Sequence, residues 1–295
     1  RTSVDRLVQS PLSTFIPKLT KSWSSEGRNF YKYSLPNSAP FEWYFGSADY
    51  KVHSFEVGTV ACQVFHQPSH TYNLPFFKKS LENAINFVQS SLGQYPYDEL
   101  KLVEIPFYQE PLYSYPNTIA ISELEGWFAD TTSLENQVYL SFSIASGVIS
   151  HWALQNLPIA NVQGADMLRY ALPEALAMQV VEAEYGTSGL QGLITKKQGL
   201  YARERGTEPN VEPTLIAADG AEYLERNKGT LALYELSQKM GDERFNEHIE
   251  NWAKGMKGKG VFRDLYQSIM ANEQIIKLSE EDQVSIKNTF EKVLP

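Results

Sequence analysis

The histidines are the side chains most able to bind a metal or move a proton near neutral pH, and their spacing decides whether they can act together. The sequence has five: His53, His66, His70, His151 and His248. A catalytic zinc takes three protein ligands, and the HExxH pattern supplies two of them from one face of a helix, with its glutamate activating the bound water. No HExxH occurs. His66 and His70 have i, i+4 spacing, but Pro68 between them predicts a turn rather than a shared helical face.

Other common catalytic patterns are also missing from the sequence. Ser146-Gly147 lies in a predicted helix, without a G-x-S-x-G elbow or a neighbouring His–Asp pair to activate the hydroxyl. There is no P-loop and no dinucleotide fingerprint. The single cysteine, Cys62, cannot form an internal disulfide or a thiolate metal cluster. The net charge of −9, with no clustered run of Lys and Arg, argues against a nucleic-acid partner.

The order of strand and helix patterns predicts an α+β protein, with strands first and then mostly helices. Aromatic and β-branched runs at 41–45 and 52–64 predict strands, and the alternation at 100–105 predicts another. Apolar residues at helical spacing predict helices over about 73–92, 134–157, 168–185 (closed by Gly186) and 221–240, with further helices beginning at Asp242 and Ser279.

Three segments, in this order, carry a family resemblance. The first runs from Tyr95 to Glu123 and contains Ser114-Tyr115-Pro116-Asn117-Thr118; the second runs from Ser146 to Gly186; the third is Arg226-Asn227-Lys228-Gly229. They resemble the strand pair leading to the GAMEN substrate-edge strand, the zinc-binding helix pair and the Y-x-K-G helix of the gluzincin aminopeptidases, the aminopeptidase N type. The likeness is closest to the version of that domain fused to bacterial ABC transporter permeases.

The resemblance covers about residues 40 to 255 and implies a fold. We expect a zincin-like (thermolysin-like) domain, mostly helical, preceded by the remnant of a β-rich domain. The implied division is a β-rich segment at 1–66, the end of a β-sandwich-like region, then the zincin-like domain at 67–255 and a helical extension at 256–295.

When this sequence is aligned with the family pattern, most of the family's functional residues fall on residues of another type. HExxH falls on 146–150, so that both histidine ligands become serine, Ser146 and Ser150, and the general-base glutamate becomes Gly147. The third ligand, a glutamate, falls on Tyr170, and the transition-state tyrosine falls on Arg226. In the GAMEN strand, Pro116 replaces the glutamate that grips the substrate amine, and Asn117 remains. The resemblance therefore implies that zinc is not bound and that no catalytic residue is retained.

The expected function is a non-catalytic peptidase-like domain, either a peptide- or partner-binding module or a structural one. Tyr115, Asn117 and His151 are the candidate substrate-binding residues. The alternative is a hydrolase with a rebuilt site that uses His151, Glu174 and Arg226. A purely architectural domain, with Tyr170 and Trp152 filling the cleft, is the third interpretation.

The resemblance also implies a cellular setting. The chain opens at Arg1 without an initiator methionine, which predicts a piece of a longer protein. We expect an extracytoplasmic domain of a bacterial membrane protein, with an ABC-type permease in the same polypeptide or operon. A peptide or protein ligand in the vestigial cleft is the other expected partner.

Overall fold

The described residues in the first part of the chain form nine strands. The computed structural model describes residues 7–9, 18–34, 44–46, 48–107, 112–208 and 211–292. In chain order the strands are β1 (Leu7–Gln9), β2 (Lys18–Ser25), β3 (Arg28–Ser34), β4 (Tyr44–Gly46), β5 (Lys51–Val57), β6 (Val60–His66), β7 (Glu99–Ile105), β8 (Leu112–Tyr115) and β9 (Thr118–Ser122). Two antiparallel ribbons, β1 with β4 and β2 with β3, are separate from a five-stranded sheet of order β5-β6-β7-β9-β8.

The five-stranded sheet is mixed. β5 and β6 form an antiparallel hairpin, β6 pairs with β7 and β7 with β9 in parallel, and the edge strand β8 returns antiparallel to β9. Gly58, with φ of 59°, makes the turn that splits the predicted strand run at 52–64 into β5 and β6. β6 pairs directly with β7, so that the sheet includes strands on both sides of residue 66. The three-part domain division stays a prediction. The strand expected at 41–45 lies partly outside the described residues.

Helices make up most of the remaining chain. They are α1 (Leu74–Ser91), α2 (Leu134–Asn156), α3 (Leu172–Arg205), α4 (Thr230–Met240), α5 (Asp242–Gly255), α6 (Phe262–Met270), α7 (Glu273–Ile276) and α8 (Glu280–Glu291). Three π-helical turns accompany them, at Glu123–Trp127, Met167–Ala171 and Tyr223–Gly229. The prediction of an α+β fold with strands first is confirmed. None of the helices described is long and apolar enough to cross a membrane.

The chain forms two compact units. The first comprises Arg1–Pro75 and Tyr97–Phe128, and the second comprises Phe76–Pro96 and Ala129–Pro295. In the first unit, Tyr50, Phe65 and Ile105 are members of a buried cluster on the sheet. In the second unit, the apolar residues of α1 that recur at helical spacing are buried, as their periodicity predicts.

Helix α3 reverses direction at Gly186, where the backbone has φ of 66° and ψ of −175°. In a straight helix the 23 residues from Glu174 to Lys197 would span about 35 Å. Their side chains nevertheless meet, with Lys197 Nζ 2.7 Å from Glu174 Oε2. Gly186 therefore ends one helical leg, as the sequence predicts, and a second leg folds back from it. The left-handed φ is readily adopted by glycine alone.

Candidate functional site

Helix α2 carries the positions that align with HExxH. Ser146, Gly147 and Ser150 lie in its second half, where Ser146 and Ser150 share a face because they are four residues apart. The Ser146 hydroxyl oxygen is buried and has no hydrogen-bond partner among the described residues. Neutral hydroxyls are poor zinc ligands beside imidazole or carboxylate, and glycine offers no side chain. This face of α2 can neither hold a zinc ion nor supply a general base.

Tyr170 and Arg226 lie on π-helical turns, Met167–Ala171 and Tyr223–Gly229. The guanidinium carbon of Arg226 lies 4.4 Å from the centroid of the Tyr170 ring. Such turns insert one residue into a helix and redirect the side chains beside it, which is why they are frequent at functional sites. The two positions expected to carry a zinc ligand and a transition-state tyrosine instead form a cation–π pair.

Glu174, in the first turn of α3, is the centre of a buried ionic cluster. Its Oε1 accepts from Arg226 Nη1 at 2.7 Å, and its Oε2 accepts from Lys197 Nζ at 2.7 Å and Thr230 Oγ1 at 3.1 Å. Glu174, Lys197 and Thr230 are all buried, and Lys197 also donates to the backbone oxygen of Arg226 at 2.7 Å. Both oxygens of the carboxylate are therefore committed to cations.

The electrostatics of the cluster hold its cations in place. Burial alone would lower the pKa of Arg226, but the carboxylates of Glu174 and Glu222 outweigh this and raise it. Glu222 Oε1 lies 2.9 Å from Arg226 Nε. Lys197 Nζ also lies 4.8 Å from the centroid of the Phe142 ring, one turn before Ser146 on α2. The guanidinium stays charged and joins α3 to the turn that precedes α4.

His151 and Trp152 lie on the buried side of α2, where they form hydrogen bonds with the segment that follows α1. His151 is fully buried, and its Nδ1 lies 2.7 Å from the Tyr95 hydroxyl. Trp152 is 2% exposed, and its Nε1 donates to the backbone oxygen of Leu92 at 3.0 Å. A ligand could touch His151 only after this packing opened. Tyr170, the other residue expected to fill a cleft, is 38% exposed.

Tyr115 and Asn117 belong to the first unit, at the β8–β9 turn. Asn117 has φ of 51° and is 3% exposed, and its Nδ2 donates to Glu99 Oε1 at 3.1 Å. Proline followed by a residue with positive φ is the pattern of a type II turn, and asparagine tolerates that backbone. The Tyr115 ring stacks on that of Tyr113, with centroids 6.2 Å apart, on edge strand β8. Asn117 thus builds the turn, and Tyr115 lies on the edge of the sheet.

His66 and His70 occupy the predicted turn and do not form a paired metal site. His70 Nδ1 lies 2.5 Å from Oε1 of Glu104, a buried carboxylate on β7, while His66 Nδ1 lies 2.8 Å from the Gln67 backbone oxygen. Sequence reasoning missed Glu104, because it alternates with apolar residues along a strand pattern. It missed Lys197 as well, because residues 187–205 were not recognised as helical.

The residues present do not fit a zinc ion. Across the described ranges, no group of three or more His, Cys, Asp or Glu side chains could hold a metal. Glu174, which pairs with the same Arg226 that lies over Tyr170, would have to release Arg226 and Lys197 before it could bind a cation.

No family model and no curated protein matches the sequence. Solved structures do match the fold. A mutant M1 zinc metallopeptidase from Deinococcus radiodurans superposes with a TM-score of 0.65 at 15% identity, covering 100% of this chain and 63% of that protein. A two-domain M1 zinc metallopeptidase mutant bound to L-arginine gives 0.65 at 14% identity, covering 99% of this chain and 62% of that one. The chain thus spans less than two thirds of these enzymes, and the likeness establishes the fold of M1 peptidases, the gluzincin aminopeptidase type.

Proposed function

We propose that this chain is a non-catalytic relative of the zinc aminopeptidases that serves as a peptide- or partner-binding module. The proposed setting is the extracytoplasmic face of a membrane, with an ABC-type permease in the same polypeptide or operon. The observation that best supports a loss of catalysis is that both carboxylate oxygens of Glu174 already accept hydrogen bonds from other side chains. A carboxylate that bonds an arginine, a lysine and a threonine is a structural anchor and not a free ligand or base.

The replacements act together against hydrolysis. A zinc peptidase needs a metal to polarise the carbonyl and a base to activate water. Ser146 and Ser150 offer neutral hydroxyls, Gly147 offers no base, and Arg226 adds a positive charge where a neutral tyrosine would assist. Because the ligands and the base are replaced at once, restoring one residue would not restore the mechanism.

Two aromatic side chains support a binding role. The rings of Tyr113 and Tyr115 stack on edge strand β8, with centroids 6.2 Å apart and planes 10° from parallel. Both residues are half-buried, so that part of each ring is exposed. Rings held in this way offer rigid contact area to a peptide or protein partner.

The rebuilt-enzyme alternative finds less support in the geometry. His151 is fully buried against Tyr95, and Glu174 already bonds two cations. A general base must reach the proton that it removes, and neither side chain is free to do so in this arrangement.

Metal content is the decisive measurement. We expect protein purified without a chelator to contain no stoichiometric zinc by mass spectrometry, and we expect no turnover of a panel of aminoacyl and peptide reporters. One zinc per chain would overturn the proposal. Turnover without zinc that disappears in His151→Ala would instead establish the rebuilt enzyme, and Lys254→Ala, an exposed substitution elsewhere in the chain, is the control for that variant.

A further inference from the structure

The ribbon formed by β2 and β3 has two chemically different faces. Its register pairs Lys21 with Lys32, Trp23 with Phe30 and Ser25 with Arg28. Because successive residues of a strand point to opposite faces, these six side chains share one face. Five of the six are cationic or aromatic. The name cationic–aromatic face is used for these five residues: Lys21, Trp23, Arg28, Phe30 and Lys32.

Near the turn, the opposite face of the ribbon carries uncharged polar side chains, three of them small and one, Tyr31, aromatic. Ser22 pairs with Tyr31, and Ser24 with Asn29, whose Oδ1 accepts from Ser24 Oγ at 2.6 Å. The reversal between the strands occurs at Glu26 and Gly27, with φ of 49° and 73°. Two central residues with positive φ make the two-residue hairpin turn that matches the strand twist. The turn thereby fixes which side chains share the cationic–aromatic face.

The aromatic pair is stacked and open to solvent. The rings of Trp23 and Phe30 have centroids 5.2 Å apart and planes 9° from parallel. They are 43% and 38% exposed, and Lys21 Nζ lies 5.4 Å from the Trp23 ring centroid. An indole exposed to this degree retains apolar surface that a partner can cover. The cross-strand stack holds the two rings in place before any partner binds.

The charge of the ribbon is opposite to that of the chain. Residues 18–34 contain the four cations Lys18, Lys21, Arg28 and Lys32 and one acid, Glu26, whereas the whole chain carries a net charge of −9. Lys21, Arg28 and Lys32 form no ion pair with a described carboxylate. Three cations concentrated on one exposed face are available to a negatively charged surface.

We propose that the cationic–aromatic face docks on the headgroups of an anionic phospholipid bilayer. Tryptophan prefers the bilayer interface, where its ring is partly buried and its N–H stays wet. Each Lys or Arg near an anionic leaflet adds about 1 kcal/mol of attraction. The face lies on a two-stranded ribbon, a shape that suits an extended surface better than a small molecule. This inference is independent of the proposed function, since it shares no residue with the Glu174 cluster.

Vesicle co-sedimentation tests the proposal with the chain as it is. We expect binding to vesicles of phosphatidylcholine with phosphatidylglycerol, no binding to phosphatidylcholine alone, and loss of binding as salt screens the charges. The variant Lys21→Glu with Arg28→Glu and Lys32→Glu should weaken partitioning about 100-fold or more, from three lost attractions. Trp23→Ala with Phe30→Ala should weaken it without changing its dependence on salt.

The matched control reverses three exposed cations elsewhere, Lys254→Glu with Lys257→Glu and Lys259→Glu, and should bind as the wild type does. Equal binding to both kinds of vesicle, or loss in the control but not in the ribbon variants, would overturn the proposal. So would tighter capture of a single-stranded oligonucleotide, or dimerisation that the ribbon variants abolish, because the face would then serve another partner. Circular dichroism of each variant verifies that it is folded.

Discussion

At the scale of single residues, Glu174 and the charged side chains around it form a buried cluster in which each charge has a partner. Glu174 is 6% exposed and Lys197 is 6% exposed, so that neither charge is solvated by bulk water. Such a pair is stable only when every charge has a partner, which Arg226 and Thr230 complete. The cluster therefore acts as a cross-link between the two legs of α3 and the turn before α4.

We predict that Glu174→Ala destabilises the fold by about 3–5 kcal/mol, because it leaves Lys197 buried without a counter-charge. The double variant Glu174→Leu with Lys197→Met should recover most of the loss, since it removes both buried charges together. Urea denaturation measures both. The control Glu82→Gln breaks an exposed pair with Lys78 and should change stability by roughly 0.5 kcal/mol or less. A single variant as stable as wild type would show that the cluster is not a cross-link.

The absence of HExxH could be read from the sequence, whereas the cluster could not. Ser146, Gly147 and Ser150 are neighbours along the chain, so that their chemistry is evident without a fold. Glu174 meets Lys197 and Arg226 across 23 and 52 residues, and these contacts depend on how α3 turns and where the π-helical turns aim their side chains. Long-range pairs between single charges leave no periodic signal in one sequence.

At the scale of elements, glycines with positive φ set the direction of the chain at several turns. Gly186 reverses α3, and Gly164, with φ of 83°, shapes the approach to the turn that carries Tyr170. The Gly164 N–H donates to the Ala218 oxygen at 2.8 Å. A Cβ at residue 164 would lie 2.9 Å from the Ile216 backbone oxygen, which cannot move without moving the loop. Both the backbone conformation and the space require glycine at this position.

We predict that Gly164→Ala lowers the free energy of unfolding by about 2 kcal/mol, from the left-handed backbone and the contact with the Ile216 oxygen. Gly192→Ala is the matched control. It lies exposed in α3, with nothing within 4 Å of the added Cβ, and should stabilise by about 0.5–1 kcal/mol through helix propensity. The midpoints of thermal and urea unfolding should shift in opposite directions for the two variants. Shifts in the same direction would contradict this account.

Element prediction succeeded where periodicity was strong. The helices expected at 73–92 and 134–157 correspond to α1 (Leu74–Ser91) and α2 (Leu134–Asn156). The second leg of α3 was missed because three glycines interrupt a polar sequence, although buried Leu190, Leu193 and Lys197 recur at helical spacing. The cationic–aromatic face was also missed. Its cations are spread along the chain, and only the register of β2 and β3 gathers them.

At the scale of the whole molecule, the acidic side chains differ in how deeply they are buried. The chain has 35 acidic against 26 basic residues. Most acids can lie exposed at little cost, but Glu225, beside Arg226, is 1% exposed. Burial raises its pKa, against the lowering effect of the hydrogen bond from the Ala221 N–H, and the nearby Asp166 raises it further. A carboxyl of this kind makes the stability of the entire fold depend on pH.

The sign of that dependence follows from proton binding. Because its pKa is raised in the folded state, folded Glu225 holds its proton more tightly than the unfolded chain does. Its favourable contribution is complete below the ordinary value of 4.5 and is lost as pH rises through the raised pKa.

We predict that Glu225→Gln, which does not titrate, gains stability relative to wild type as pH rises from about 4 to about 7. Urea denaturation across this range measures the difference. Glu243→Gln, an exposed change of equal charge on α5, is the control and should show a smaller trend. A Glu225→Gln difference that stays constant, or shrinks with rising pH, would mean that burial does not raise the pKa of this carboxyl.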